Sequence, residues 1–220
     1  MPVKEREVTI ETSLGQVSGL RAGPKSGPVV VLAHGAGGNM TNPVLEGFAM
    51  GLAAADVGCL RFNFAYSEAG RKGPDREPKL RPVWSAAFSL ATKDGGPVWA
   101  AGKSLGGRIA SMMVADGELD AAGLILFGYP LHPPGKPERI RDAHLPAIDV
   151  PMLFLQGTAD PFAQPDLLAA VMKRLGAGAT LHQVEGGDHS FRVRGQKRDD
   201  IGTGAALGEV AARFILDRVG

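Results

Sequence analysis

Residues 28–33 read Pro-Val-Val-Val-Leu-Ala, apolar at every position. A strand with one wet face alternates apolar and polar side chains. A run without alternation belongs to a strand covered on both sides. That run calls for a sheet lying between two layers of helix. The rest of the chain agrees. Strand-like runs recur at 58–64, 97–101, 122–127, 152–156 and 180–185, and two shorter ones, 8–11 and 16–21, precede them around a glycine turn. Between them lie stretches with helical spacing. The first, 42–55, carries Val44, Leu45, Phe48 and Leu52 on one side, with Thr41 or Asn42 available as cap and Pro43 in the first turn. The others are 81–92 (Trp84, Phe88, Ala91), 105–115 (Ile109, Met112, Met113), 166–175 closed by Gly176, and 204–219 (Leu207, Val210, Ala211, Phe214, Ile215). Strands alternating with helices of this length predict a mostly parallel, twisted sheet with helices on both faces. Nothing reads as a linker or an internal repeat, so residues 1–220 are expected to form one α/β domain.

Charge and cysteine content narrow the function classes. Lys and Arg total 24 against 23 Asp and Glu, a net charge of +1. That balance predicts neither a nucleic-acid partner nor an anionic membrane surface. The basic run 192–198 is followed at once by Asp199 and Asp200 and reads as a solvated loop. No apolar run is long enough to cross a bilayer, and the N-terminal residues lack a signal core. The single cysteine, Cys59, lies in an apolar run; a buried thiol in a reducing cytoplasm is the expectation. Two connections, 66–79 and the proline-rich 129–150, are long enough to border a site.

Gly102-Lys103-Ser104-Leu105-Gly106-Gly107 stands between a predicted strand and a predicted amphipathic helix. Gly-x-Ser-x-Gly in that setting is a nucleophile elbow. A sharp strand-to-helix turn lifts the Ser104 hydroxyl clear of the backbone. Gly102 and Gly106 leave room where a Cβ would strike neighbouring chain. The helix start offers free N–H groups and a positive dipole end to developing negative charge. A phosphate-binding P-loop is excluded, because Pro97 stands where that motif needs glycine and residues 98–101 form a strand. A dinucleotide fingerprint is excluded because Gly35, Gly37 and Gly38 lack its spacing. The segment His34-Gly35-Ala36-Gly37-Gly38 instead follows a strand and should lie beside the elbow, where the Ala36 and Leu105 amides could form an oxyanion hole. His34 reads as a loop-bracing hydrogen-bonder.

An attacking serine needs a base, and the base an orienting acid. His189 follows the last short strand and Asp160 follows strand 152–156, so both should reach the carboxyl ends of strands, where open α/β sheets build their sites. The chain order Ser104, Asp160, His189 differs from the two common serine-protease orders. Asp188 adjoins His189 and diverges from it, so it reads as a loop brace. Asp149 lies at the wrong end of the sheet. His132, His144 and His182 read as structural or exposed. Lys103, Arg61, Arg71 and Lys72 could favour acidic groups if they reached the pocket, but solvent exposure is the expectation for each.

Together these motifs resemble the α/β-hydrolase superfamily over most of the chain. Within it the sequence looks like the small, capless dienelactone-hydrolase-related proteins, and most like the testis-expressed type. Arg61-Phe62-Asn63-Phe64 before a charged loop, and Lys103 before the serine, carry that likeness. The resemblance implies an α/β-hydrolase fold with an eight-stranded-type sheet, no large cap domain and a Ser-Asp-His triad of Ser104, Asp160 and His189. Dienelactone hydrolases proper carry cysteine where Ser104 stands, so their lactone chemistry is not transferred. The expected activity is cleavage of a small carboxylic ester or related acyl substrate, with no cofactor and no metal. Because one relative is a subunit of a histone-acetylation complex, the alternative is a catalytically silent scaffold.

Overall fold

The computed structural model describes residues 5–219. It contains eight strands: β1 (Arg6–Thr12), β2 (Gly15–Ala22), β3 (Val29–Ala33), β4 (Gly58–Phe62), β5 (Val98–Lys103), β6 (Gly123–Phe127), β7 (Met152–Gly157) and β8 (Ala179–Val184). Six helices accompany them: α1 (Pro43–Ala54), α2 (Ala65–Glu68), α3 (Glu77–Thr92), α4 (Leu105–Ala115), α5 (Pro165–Leu175) and α6 (Asp200–Val219). All eight strands join one sheet in the order β1-β2-β4-β3-β5-β6-β7-β8. β1, β2 and β4 pair antiparallel, and every pair from β4 to β8 is parallel. This is the α/β-hydrolase fold, and the described residues include no separate cap domain.

The unalternating runs behave as their composition requires. Every residue of β3, β4, β5, β6 and β7 is buried. Their side chains feed two apolar layers. One contains Val29, Val31, Leu60, Trp84, Ile109 and Phe154, under α3, α4 and α5. The other contains Val30, Leu32, Phe48, Trp99, Phe127 and Ile215, under α1 and α6. Helices α1 and α6 approach so closely that a Cβ on Gly204 would lie 2.1 Å from the Val44 carbonyl oxygen. Asn42 caps α1 by accepting from the Val44 amide at 3.1 Å. Cys59 is buried, and burial pushes its thiol up to about 12.

Several expected boundaries change, and helix α6 already begins at Asp200, four residues before its predicted start. Helix α3 begins at Glu77, four residues before the predicted start, and runs through Pro82. The loss of one amide at Pro82 is outweighed by burial of Leu80 and by Arg81, which pairs with Glu77, Asp116 and Glu118. With α2 at its other end, the predicted loop 66–79 shrinks to 69–76, and Tyr66 is core rather than rim. Strand β5 also runs two residues past its predicted end and takes Gly102 and Lys103 into the sheet.

Candidate active site

Ser104 sits between the last residue of β5 and the first of α4, with φ 50° and ψ −112°. A positive φ on a residue with a Cβ is strained, and such strain persists only where the surroundings impose it. Here the glycines impose it. A Cβ on Gly102 would lie 2.2 Å from the Gly107 amide nitrogen, and one on Gly106 would lie 2.6 Å from the His34 carbonyl oxygen. The turn is therefore packed against itself and against the end of β3.

The structure brings Ser104, His189 and Asp160 together. Ser104 Oγ lies 2.9 Å from His189 Nε2, and His189 Nδ1 lies 2.7 Å from Asp160 Oδ2. A carboxylate only accepts, so Nδ1 carries the proton and Nε2 is left to accept from the serine hydroxyl. Asp160 is buried and engaged on both oxygens. The Phe162 amide donates to Oδ1 at 2.8 Å, and Gln156 Nε2 donates to Oδ2 at 2.6 Å. The Phe162 ring stacks on His189, centroids 4.1 Å apart and planes 29° from parallel. Asp188 braces the loop, accepting from the Ser190 and Arg192 amides.

A cavity of about 380 Å³ opens in front of Ser104. Ala36, Gly37, Asn42, Leu45 and Phe162 contribute to its wall. The Ala36 and Leu105 amides donate to no protein acceptor among the described residues. The loop carrying Ala36 is held by His34. The Phe64 amide donates to His34 Nε2 at 3.1 Å, which places the ring proton on Nδ1, 2.8 Å from the Gly35 carbonyl. Tyr66 Oη also donates to that carbonyl, at 3.2 Å. Burial lowers the pKa of His34, in keeping with a ring whose Nε2 must stay an acceptor.

Of the other candidates weighed from the sequence, Lys103 borders the cavity and the rest lie away from it. Lys103 and Arg61 are not solvent-exposed as expected: both are buried. Lys103 lines the cavity and donates to the His189 carbonyl oxygen at 2.8 Å. Arg61 instead holds the Met40 carbonyl and Glu5. Arg71 pairs with Asp75 at the surface, and Lys72 is exposed. His132 is buried and accepts from the Gln164 amide at 3.0 Å, tying the proline-rich segment to the stretch after Asp160. His144 meets Ser111 at 2.8 Å, but Ser111 lies inside α4 and no carboxylate completes that pair among the described residues. The sequence reading missed Gln156 and Phe162. The only signal was their nearness to Asp160, four residues before it and two after.

A family model described as an alpha/beta hydrolase domain matches residues 26–215. Solved structures share the fold. An alpha-beta serine hydrolase homologue from Coxiella burnetii is 20% identical, covers 96% of this chain and 97% of its own, and superposes with a TM-score of 0.73. A dienelactone hydrolase from Anabaena variabilis is 18% identical over 100% of both chains, with a TM-score of 0.77. A serine hydrolase without lid from Xanthomonas campestris is 20% identical, covers 98% of this chain and 97% of its own, and gives a TM-score of 0.73.

Proposed function

The chain belongs to the alpha/beta hydrolase domain family, and from that membership we propose that it is a serine hydrolase cleaving small carboxylic esters or related acyl compounds. Within the family we place it with the capless dienelactone-hydrolase-related proteins of the testis-expressed type, on the motifs around Arg61 and Lys103. The observation that carries the activity is the continuous contact chain from Ser104 Oγ through His189 to Asp160, built on a strained serine.

In this reading Ser104 Oγ attacks the acyl carbon while His189 Nε2 takes the hydroxyl proton. Asp160 holds the proton on Nδ1 and stabilises the imidazolium that forms. The carbonyl oxygen becomes an oxyanion facing the Ala36 and Leu105 amides. Collapse of the tetrahedral adduct breaks the bond to the leaving oxygen, which receives the proton from Nε2. Water, deprotonated by the same imidazole, then attacks the acyl-enzyme and returns Ser104 to its free form. The size of the cavity and the lack of a cap favour short, soluble acyl groups.

A fluorophosphonate probe tests this directly. Labelling at Ser104 together with hydrolysis of p-nitrophenyl acetate is the expected result. Ser104→Ala should abolish labelling and lower kcat on the order of 10⁴–10⁶-fold, the range seen when single triad members are removed from other serine hydrolases. Folded protein that takes no label and hydrolyses no ester would leave the silent scaffold as the better reading; a variant that keeps its turnover would remove Ser104 from the chemistry.

A further inference from the structure

A second hollow, of about 290 Å³, lies between α4 and the proline-rich segment that follows β6. Its wall includes Arg108, Met112, Asp116, Ile140, Arg141 and His144, and none of these borders the cavity in front of Ser104. We propose that this hollow is an anion-binding site for a phosphoryl group, free or carried by a small organic molecule, gripped by the guanidiniums of Arg108 and Arg141.

Positive charge without counter-charge borders this hollow. Neither Arg108 nor Arg141 has a carboxylate within ion-pair distance among the described residues. The Nε of Arg108 is buried and has no hydrogen-bond partner. Such an atom normally has one, so the guanidinium that borders the hollow is short of acceptors supplied by the chain. Arg141 is crowded by like charge. Burial, Arg108 and Arg139 all hold its guanidinium below the usual arginine range. The nearby acids are already committed. Asp116 is held by Arg81 at 2.7 Å, and Asp142 by Arg174. Asp116, Asp142 and Glu77 pull the half-buried His144 upward, but burial and Arg108 outweigh them, so its ring is kept neutral and adds a polar edge without a charge. Guanidinium forks match the spacing of phosphate oxygens better than any other side chain does. Met112 and Ile140, the latter 41% exposed, supply an apolar flank beside the two forks. A phosphate monoester with a compact apolar group satisfies both.

The site stands independently of the esterase reading, because its test is binding and not turnover. Calorimetric titration of the intact protein with inorganic phosphate and with phenyl phosphate should give saturable binding at one site per chain, with phenol inert. Tighter binding of phenyl phosphate assigns the ester; equal affinity assigns free phosphate. Arg141→Gln, a change in a loop outside any helix or strand, should weaken binding at least about tenfold, or ~1.4 kcal/mol. Arg108→Met should do the same. If Arg108→Met unfolds, by circular dichroism, Arg141→Gln alone decides. The proposal is overturned if neither phosphate gives saturable heat, if phenol binds as well as phenyl phosphate, or if Arg141→Gln binds like the parent.

Discussion

The ammonium of Lys103 donates a 2.8 Å hydrogen bond to the main-chain carbonyl of His189, joining the residue before the candidate nucleophile to the candidate base. Burial lowers the pKa of this lysine, opposed by Asp160 and Asp188. The bond spans from β5 to the loop after β8 and fixes the backbone that carries the imidazole. Lys103→Met keeps the length and apolar stem but removes the donor. Hydrogen bonds to charged groups contribute about 1.5–3 kcal/mol, so kcat/KM should drop about 10- to 100-fold. Steady-state kinetics with a short nitrophenyl ester checks this. Parent-like kinetics in the variant would assign Lys103 a packing role only.

Gln156 shares an acceptor with His189. Its amide reaches Asp160 Oδ2, the oxygen that also holds Nδ1–H. Gln156→Glu replaces a donor with a second carboxyl at that oxygen. Two carboxyls so close share one proton, because both cannot ionise at low cost. The imidazolium then faces a weakened charge, and kcat should fall by about tenfold or more, a loss of roughly 1.4 kcal/mol in the barrier. The loss should lessen in Gln156→Leu, which adds no acid. Equal kcat values for the two variants would remove the electrostatic argument.

Backbone strain at Ser104 predicts a trade of stability against activity. A non-glycine residue in such a region costs about 1–3 kcal/mol, and glycine there sacrifices about 0.5–1 kcal/mol of chain entropy. Ser104→Gly should therefore raise the unfolding free energy by about 1 kcal/mol while eliminating labelling. Urea denaturation measures it; a lower midpoint than the parent contradicts the strain.

The buried His34 makes stability depend on pH. Its folded pKa is depressed, by burial above all, so the unfolded chain binds the proton more readily. Its contribution is fully present above the ordinary imidazole value of about 6.5 and is lost as pH falls through the depressed folded value. The thermal midpoint should decline between about pH 7 and 5, and less steeply in His34→Gln. His144, also depressed by burial, adds in the same direction, so the slope is reduced and not abolished. An unchanged slope would show that other groups carry it.

Strands β3 and β6 were legible because nothing polar interrupts them. Val29–Ala33 has no wet face, and the chain has no way to bury it except between helices. Ser104, Asp160 and His189 were legible for a different reason: each follows a strand, and parallel strands deliver their carboxyl ends to one rim. The start of α3 was not legible. Pro82 argues locally against a helix, and only the packing of Leu80 and the pairing of Arg81 with α4's far end reverse it.

By itself the sequence determined the layering of the sheet, the place of the serine turn and the chain order of the three residues that meet there. Those follow from periodicity and local sterics, which act over a few residues. Tertiary structure alone decided that Lys103 is buried against the His189 carbonyl, that Gln156 reaches Asp160, and that Arg108 and Arg141 border one hollow with no ion-pair partner among the described residues. The partners of Lys103 and Arg108 come from segments 33 or more positions away, and Gln156 meets Asp160 only through the turn at the end of β7. A side chain's surroundings at such distances are set by how strands align, and no local pattern records that.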